Sequence, residues 1–410
     1  MRRFIACSAV AAALASFGLA LAACSSSDPV PAAPSETDAA QVIPSQDGAM
    51  DAAPTDAGAA PEADTDAAPR ICSDDSFCHS VVPKGQNLRG VWGDGLGVLW
   101  AISNEGNILR WDGSTWSIYL QVTTEGGVFS VFGTGPTDVW VPSDKGLLHG
   151  TGTTSATLVF APVALPGDPS VFIKSVWGTG PNDLWAVGGT ESFDTPPFAT
   201  GRVVHYDGLA DGGGAWTLDA SLSSKQIAYR AVWGSASTGP WLHGGEANSI
   251  GDFTAVLMRR VPASAAWSVV AVPPDPSLTF HPAPQFFGGC ALSSDTSLWL
   301  TGLSGDFLPS YWQGKKVTDG GTGFDFTYTK LQFWQRPPYA VWGTAPNDTW
   351  AVGQDGLVDH WDGTQWKSAA IRVTALPVAK SFWGIWGTST DDFWVVGDEI
   401  AIHKTNKGKP

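Results

Sequence analysis

The sequence predicts an all-β protein, a seven-bladed β-propeller made of four-stranded antiparallel blades. Three observations predict it: a repeated pair of aromatic positions eight residues apart, short apolar runs separated by Gly, Pro, Asn and Asp turns, and no stretch with helical periodicity. The repeat period runs from 40 to 58 residues. Four strands at that spacing are typical of propeller blades.

The clearest repeat spans residues 339–366. Its two aromatic positions are Trp342 and Trp350, and the turn between them reads GTAPND. Pro presets the backbone of a turn, and Asn and Asp side chains bond to their own backbone there. Further turn signals stand at 353–356 and 362–364. The apolar runs between these turns are predicted to be the first to fourth strands of one blade.

This repeat occurs seven times along the chain. The second aromatic position is Trp in every copy: Trp100, Trp140, Trp185, Trp241, Trp299, Trp350 and Trp394. The first position is more variable: Trp92, Phe132, Trp177, Trp233, Ala291, Trp342 and Trp386. Seven copies predict seven blades, in which the large rings fill the wedges between twisted sheets.

The last repeat shows no fourth strand, because its third apolar run is followed only by a short polar tail. The segment FCHSVVP at 77–83 resembles the fourth strand and exit of the sixth repeat, QWKSAAI. We therefore expect this N-terminal strand to complete the last blade and close the ring, which removes exposed sheet edges. The propeller domain is predicted over 71–410.

The first 23 residues read as an export signal, with a basic start and an apolar run that ends in Leu21-Ala22-Ala23-Cys24. This ending matches the bacterial lipobox. The alternatives are an ordinary signal peptide with an incidental cysteine, or a membrane helix. Resemblance to lipoproteins implies that Cys24 carries a lipid anchor such as palmitate and becomes the mature N-terminus. The predicted location is the outer membrane or the cell surface, with the membrane contacted through the anchor alone.

Residues 24–70 are rich in Ala, Pro and Asp and hold nine acidic residues against one basic residue. Such a segment buries too little apolar surface to offset its ordering entropy, so we expect a disordered tether. Cys72 and Cys78 follow it. Two nearby cysteines in an exported protein predict a disulfide.

Composition excludes several functions. The propeller region has 30 acidic and 20 basic residues, which argues against nucleic acid as a partner. No catalytic motif and no cofactor signature occurs. Four histidines share one repeat position, but equivalent positions in different blades lie too far apart to bind one metal ion. We interpret them as strand-surface residues: His149, His205, His360 and His403.

Loop lengths predict a binding face. The connections between second and third strands are long in three neighbouring repeats, and insertions gathered on one face commonly mark a binding surface. The first strands begin on that face, beside the axis. Three residues before the first aromatic position stand cations and aromatics that we predict to bind a ligand: Arg89, Lys174, Arg230, Tyr339 and Trp383. They would suit an anionic or sugar-like ligand.

The unit VWGTGPNDLWAVGG with HYDGLADGGGAW resembles the Trp-rich propeller repeats of myxobacterial-type secreted lipoproteins. It is distantly similar to Asp-box and Kelch propellers. The resemblance implies a propeller and a cell-envelope address. We expect a monomeric binding or scaffold module for a glycan or protein ligand. The alternative is a propeller enzyme, a lyase or glycoside hydrolase, that acts on polysaccharide.

Overall fold

A computed structural model describes residues 72–406 except 123–126, 209–213, 250, 263, 265, 275–284, 319–322, 370 and 372–377. The predicted signal peptide (1–23), Cys24 and the tether (24–70) lie outside these residues. Among these residues strands dominate, and helix is confined to single turns at Ala220–Ser223 and Gln354–Gly356. Within the described part of the chain, no helix is long and apolar enough to cross a membrane.

The strands form seven antiparallel sheets of four strands each, which confirms the predicted fold. Blade 1 contains β2 (Leu88–Gly93), β3 (Leu99–Ser103), β4 (Asn107–Trp111) and β5 (Trp116–Gln121). Blade 2 contains β6 (Phe132–Gly135), β7 (Asp138–Ser143), β8 (Gly146–Thr151) and β9 (Val159–Val163). Blade 3 contains β10 (Ile173–Gly180), β11 (Asp183–Glu191), β12 (Ala199–Asp207) and β13 (Ala215–Leu218).

The other blades repeat this order. Blade 4 contains β14 (Ile227–Ser235), β15 (Gly239–Ala247), β16 (Phe253–Arg260) and β17 (Trp267–Val269). Blade 5 contains β18 (Gln285–Ser294), β19 (Ser297–Leu303), β20 (Pro309–Lys316) and β21 (Phe324–Lys330). Blade 6 contains β22 (Pro338–Ala345), β23 (Asp348–Gly353), β24 (Val358–Trp361) and β25 (Trp366–Ser368). Blade 7 contains β26 (Phe382–Ser389), β27 (Asp392–Gly397) and β28 (Ile400–Thr405), and its fourth strand is β1 (Phe77–Ser80).

The N-terminal strand closes the ring as predicted. β1 pairs antiparallel with β28, from Phe77 opposite Lys404 to Ser80 opposite Ala401. The Phe77 ring is buried and meets Trp350 of blade 6 and Phe393 of blade 7 edge-on. Closure therefore rests on a buried aromatic contact as well as on backbone hydrogen bonds. Cys72 and Cys78 are joined in a disulfide beside this strand.

Blades pack through the first aromatic position. The Trp386 ring lies over Gly93 of the next blade, where an added Cβ would stand 2.4 Å from the ring. The Trp92 ring lies over Gly133 in the same way, also at 2.4 Å. A side chain at either glycine would force the blades apart, because interiors are close-packed. At these two positions, the ring of the preceding blade leaves room only for glycine.

Four blades contain an identical hydrogen-bonded group that we call the tetrad. In blade 3, Thr179 donates to Asp183 Oδ2 (2.6 Å), Asp183 Oδ1 lies 2.8 Å from His205 Nε2, and the His205 ring stacks on Trp185 at 4.0 Å. The other three tetrads combine Thr134, Asp138, His149 and Trp140; Thr344, Asp348, His360 and Trp350; and Thr388, Asp392, His403 and Trp394. The repeated histidines lie partly exposed on third strands, and each is bonded within its own blade.

The tetrad of blade 6 also joins two blades. Asp348 Oδ1 accepts a hydrogen bond from Thr390 of blade 7 (2.8 Å). Burial by itself would raise the pKa of Asp348, but hydrogen bonds from Thr344, Thr390 and His360 outweigh burial and hold the pKa below its usual value. The Asp348 carboxylate therefore stabilises the fold in its charged form.

The first prediction concerns closure. We expect Phe77→Ala to lower the free energy of unfolding by about 3–5 kcal/mol, because it removes a buried ring between two blades. Urea unfolding followed by Trp fluorescence measures the change. Val81→Ala is the control, since Val81 lies just after the same strand and is exposed. Equal stability of Phe77→Ala and wild type would contradict the role given to this strand.

The second prediction concerns pH. A carboxylate with a lowered folded-state pKa stabilises the protein fully above its unfolded-state pKa of about 3.9, and this stabilisation is lost as pH falls through the folded-state value. We expect Asp348→Asn to cost about 1–3 kcal/mol at pH 7. It should also weaken the loss of stability as the pH falls below about 4. The exposed neighbour Asp391→Asn is the control, and an identical acid profile for both variants would refute the assignment.

Candidate binding face

The connections between second and third strands and the links between blades lie on one face of the ring, the loop face. Two contacts join the two kinds of segment: the Gly85 N–H donates to Glu399 Oε1 (2.9 Å), and Arg336 Nη1 donates to the Asp355 carbonyl (2.9 Å). The opposite face carries the tight turns. First strands of adjacent blades contact one another, so they line the axis.

Each predicted site residue is the unpaired residue of a β-bulge in a first strand. In blade 1, Leu88 pairs with Ser103 and Gly90 pairs with Ile102, which leaves Arg89 without a partner in the ladder. The same shift occurs around the other four: Lys174, Arg230, Tyr339 and Trp383. A bulge re-aims the side chain of its extra residue. The repeat pattern predicted that the five residues lie at one level along the propeller axis. The structure shows that each of the five first strands has a β-bulge at that level.

Three of the five residues form one stack across blades 6, 7 and 1. The Tyr339 and Trp383 rings are parallel, with centroids 4.3 Å apart, and the Arg89 guanidinium lies 4.1 Å from the Trp383 centroid. Both neighbours are too close to the indole to share one side, so they cover opposite faces of Trp383. This stack leaves neither indole face open to a ligand ring.

Polar partners fix the stack. Asp398 lies 3.4 Å from Arg89 Nη1 and accepts a hydrogen bond from Trp383 Nε1 (2.9 Å). The Tyr339 hydroxyl bonds to Gln354 Oε1 (3.3 Å). Burial raises the pKa of Tyr339, as do Asp355 and Asp398, so its hydroxyl is neutral at physiological pH. The charge of Arg89 is balanced by Asp398, and the stack contributes little net charge to the mouth.

The other two residues, Lys174 and Arg230, lie together on blades 3 and 4. Glu191 Oε1 accepts from Arg230 Nε (3.1 Å) and Nη2 (2.7 Å). Burial lowers the pKa of Lys174; Glu191 opposes this shift and Arg230 adds to it. Within the part of the chain that the structure describes, the Lys174 ammonium has no hydrogen-bond or ion-pair partner. Glu191 pairs with Arg230 and lies near Lys174, so these three groups together carry one surplus positive charge.

Exposed aromatic side chains are concentrated on the loop face. Six large aromatic residues are exposed among the described residues, and all six lie in its loops and links: Phe129, Phe172, Phe193, Phe307, Phe333 and Trp334. The most open are Phe333 (86% exposed) and Trp334 (78%). The exposed large apolar residues at the turn face of the described chain are aliphatic, such as Leu96 in the β2–β3 turn. Most surface aromatics of this protein therefore point to one side.

Sequence reasoning missed the tetrads, although a signal was present. Asp stands two residues before the second Trp in four repeats, and these are the four repeats that carry the shared histidine. The other three repeats hold Arg110, Arg259 and Gln313 opposite that Trp. Asp and His are absent from the same three repeats, and this joint absence indicates that the two residues bond to each other.

Little in this geometry resembles an active site. Two carboxylates beside the predicted residues, Glu191 of blade 3 and Asp398 of blade 7, are each engaged by an arginine. Searching the described residues finds no group of three or more His, Cys, Asp or Glu that could hold a metal ion. The arrangement offers cations and apolar surface to a ligand.

No protein-family model and no curated protein matches the sequence. Similar solved structures include YCF48 bound to D1 peptide, with a TM-score of 0.54 and 16% identity over 82% of this chain and 100% of that one. YCF48 from Cyanidioschyzon merolae gives 0.56 and 16% over the same shares. The WD40 repeats of RRP9 give 0.53 and 10%, over 82% and 99%. At these identities the similarity shows the propeller fold alone.

Proposed function

We propose that this chain is a lipid-anchored propeller of the bacterial cell envelope that binds a partner protein through its loop face. The observation that carries the proposal is the one-sided distribution of exposed aromatic residues. Large apolar groups exposed together mark interaction sites, and aromatic residues dominate the energetics of protein interfaces. The propeller would act as a monomer that holds its partner without changing it chemically.

A protein partner fits the loop face better than a glycan does. A sugar ring would need an open aromatic platform at the mouth, and both faces of Trp383 are already covered. Polar groups beside it, Asp398 and Gln354, are engaged in the stack. The exposed phenylalanines offer apolar surface without hydrogen bonds, which suits side chains of a protein segment. YCF48, a propeller of the same fold, is seen with a bound peptide.

The third prediction tests the face. Peptides selected by display on the full-length protein should lose affinity for the double variant Phe333→Ser, Trp334→Ser, because it removes the most exposed aromatic surface. Isothermal titration measures the affinity of each selected peptide. Leu96→Ser is the matched control, since Leu96 is 81% exposed on the turn face. Selected peptides that lose affinity only with Leu96→Ser, or ligands found only on a glycan array, would refute the proposal.

The proposed address rests on the lipobox around Cys24 and on the resemblance to envelope lipoproteins. It agrees with the acidic, base-poor segment that follows, which would hold the propeller away from a membrane of like charge. A lipid chain adds about 0.8 kcal/mol of membrane affinity per buried CH₂ group, so the anchor dominates partitioning.

The fourth prediction follows from that anchor. We expect Cys24→Ala to move the protein from the membrane fraction to the soluble fraction of cells that produce it, as measured by fractionation and immunoblotting. Ser25→Ala, at the adjacent position, should leave the distribution unchanged. A wild-type protein that is fully soluble without detergent would show that the anchor is absent.

A further inference from the structure

The cations of blades 3 and 4 occupy fixed positions. Their first strands are tied by a buried contact in which Ser175 Oγ donates to the Val232 carbonyl (3.3 Å) and accepts from the Val232 N–H (3.1 Å). Ser175 directly follows Lys174, and Val232 lies two residues after Arg230. Both cations are bulge residues, so the same backbone device directs each side chain.

Arg230 is held in place without using all its donors. Its Nε and Nη2 donate to Glu191 Oε1, and its Nη1 donates to the Phe286 carbonyl (3.4 Å). A guanidinium has five N–H groups, so two remain. The Lys174 ammonium adds three donors that no described residue engages. A preorganised set of unused cationic donors thus stands at the mouth.

Charge selects what this donor set can bind. Two cations and one carboxylate leave a surplus of one positive charge, inside a propeller region that has ten more acidic than basic residues. Such a site attracts an anion, and one surplus charge matches a singly charged carboxylate better than a doubly charged phosphate.

Apolar surface adjoins the same cations. Phe172 lies two residues before Lys174, and Phe193 lies two residues after Glu191; both are exposed. The Phe193 ring packs on Phe253 of blade 4, with centroids 5.2 Å apart. A carboxylate that enters here meets aromatic side chains next to its charge partners. A peptide offers that combination, whereas an acidic sugar presents hydroxyl groups instead.

We propose that Lys174 and Arg230 form a carboxylate-binding subsite that anchors the partner protein by an acidic side chain or by its C-terminus next to an apolar residue. This proposal rests on the proposed protein-binding function of the loop face. It assigns different roles to residues at the same height: Lys174 and Arg230 bind the ligand, while Arg89, Tyr339 and Trp383 hold three blades together.

The fifth prediction compares two variants that remove one positive charge from the mouth. Against peptides selected on the full-length protein, Lys174→Gln should weaken binding about 10-fold or more, the loss expected for one charge-assisted hydrogen bond. Arg89→Gln should change it less than about 3-fold, because the Arg89 guanidinium is engaged by Asp398 and Trp383 and its charge would reach the ligand only through screening solvent. Fluorescence anisotropy with fluorescein-labelled peptides measures both. Circular dichroism of each variant checks that the propeller is intact.

Peptide variants identify the source of the carboxylate. Loss of affinity on C-terminal amidation indicates a C-terminus, and loss on changing an internal Asp to Asn indicates a side chain. Reductive ¹³C-methylation adds a direct readout, since the dimethyl-lysine signal that disappears in Lys174→Gln should shift when the peptide is added. Either form of carboxylate supports the subsite.

Three results would overturn the subsite. Equal losses of peptide affinity with Lys174→Gln and Arg89→Gln would show that any positive charge at the mouth has the same effect, and that Lys174 forms no specific subsite. Peptides whose affinity is unchanged by Lys174→Gln but is lost in the double variant Phe333→Ser, Trp334→Ser would refute the subsite. That result would leave the proposed function standing. Binding of oligouronate alone, with no peptide ligand, would refute both.

Discussion

The pairing of β1 with β28 is the constraint on which the rest of the structure depends. Until a strand from the N-terminus adds to the last blade, blade 7 has three strands and an open edge. Once it is added, every first strand has a neighbour on both sides. The stack of Tyr339, Trp383 and Arg89 crosses this seam, because its members come from blades 6, 7 and 1. Chain closure and the shape of the binding mouth are therefore coupled.

Much of the architecture could be predicted from the sequence because it rests on local signals. Eight-residue Trp spacing follows from two strands joined by a tight turn, as in Trp342 opposite Trp350. The closing strand was visible because Phe77 stands in a segment similar to the fourth strand of another repeat. Such signals depend on residues near each other in the chain, or on comparison between copies.

The arrangement of the candidate site could not be predicted in the same way. A β-bulge leaves no residue signature: Arg89 and Lys174 share a position and a conformation but no neighbours that require it. The sequence grouped three cations as one positive lobe. The structure separates them, because Glu191 at the end of β11 pairs with Arg230 and Asp398 just after β27 pairs with Arg89, and the sequence does not reveal either pairing. Contacts between blades therefore determine which cation has donors left to bind a ligand.

A bulge also allows a residue that contacts a ligand to change without a change in the stability of the strand. A residue outside the hydrogen-bonded ladder can be exchanged without shifting the strand register, so the buried side chains on either side keep their places. Ile173 and Ser175 flank Lys174, and both are buried and paired in the ladder. Blades 3 and 4 offer such positions at the mouth, because Lys174 and Arg230 are bulge residues that lie outside the stack joining blades 6, 7 and 1. A propeller built this way can acquire a new partner by single substitutions, one blade at a time, while its fold is inherited unchanged.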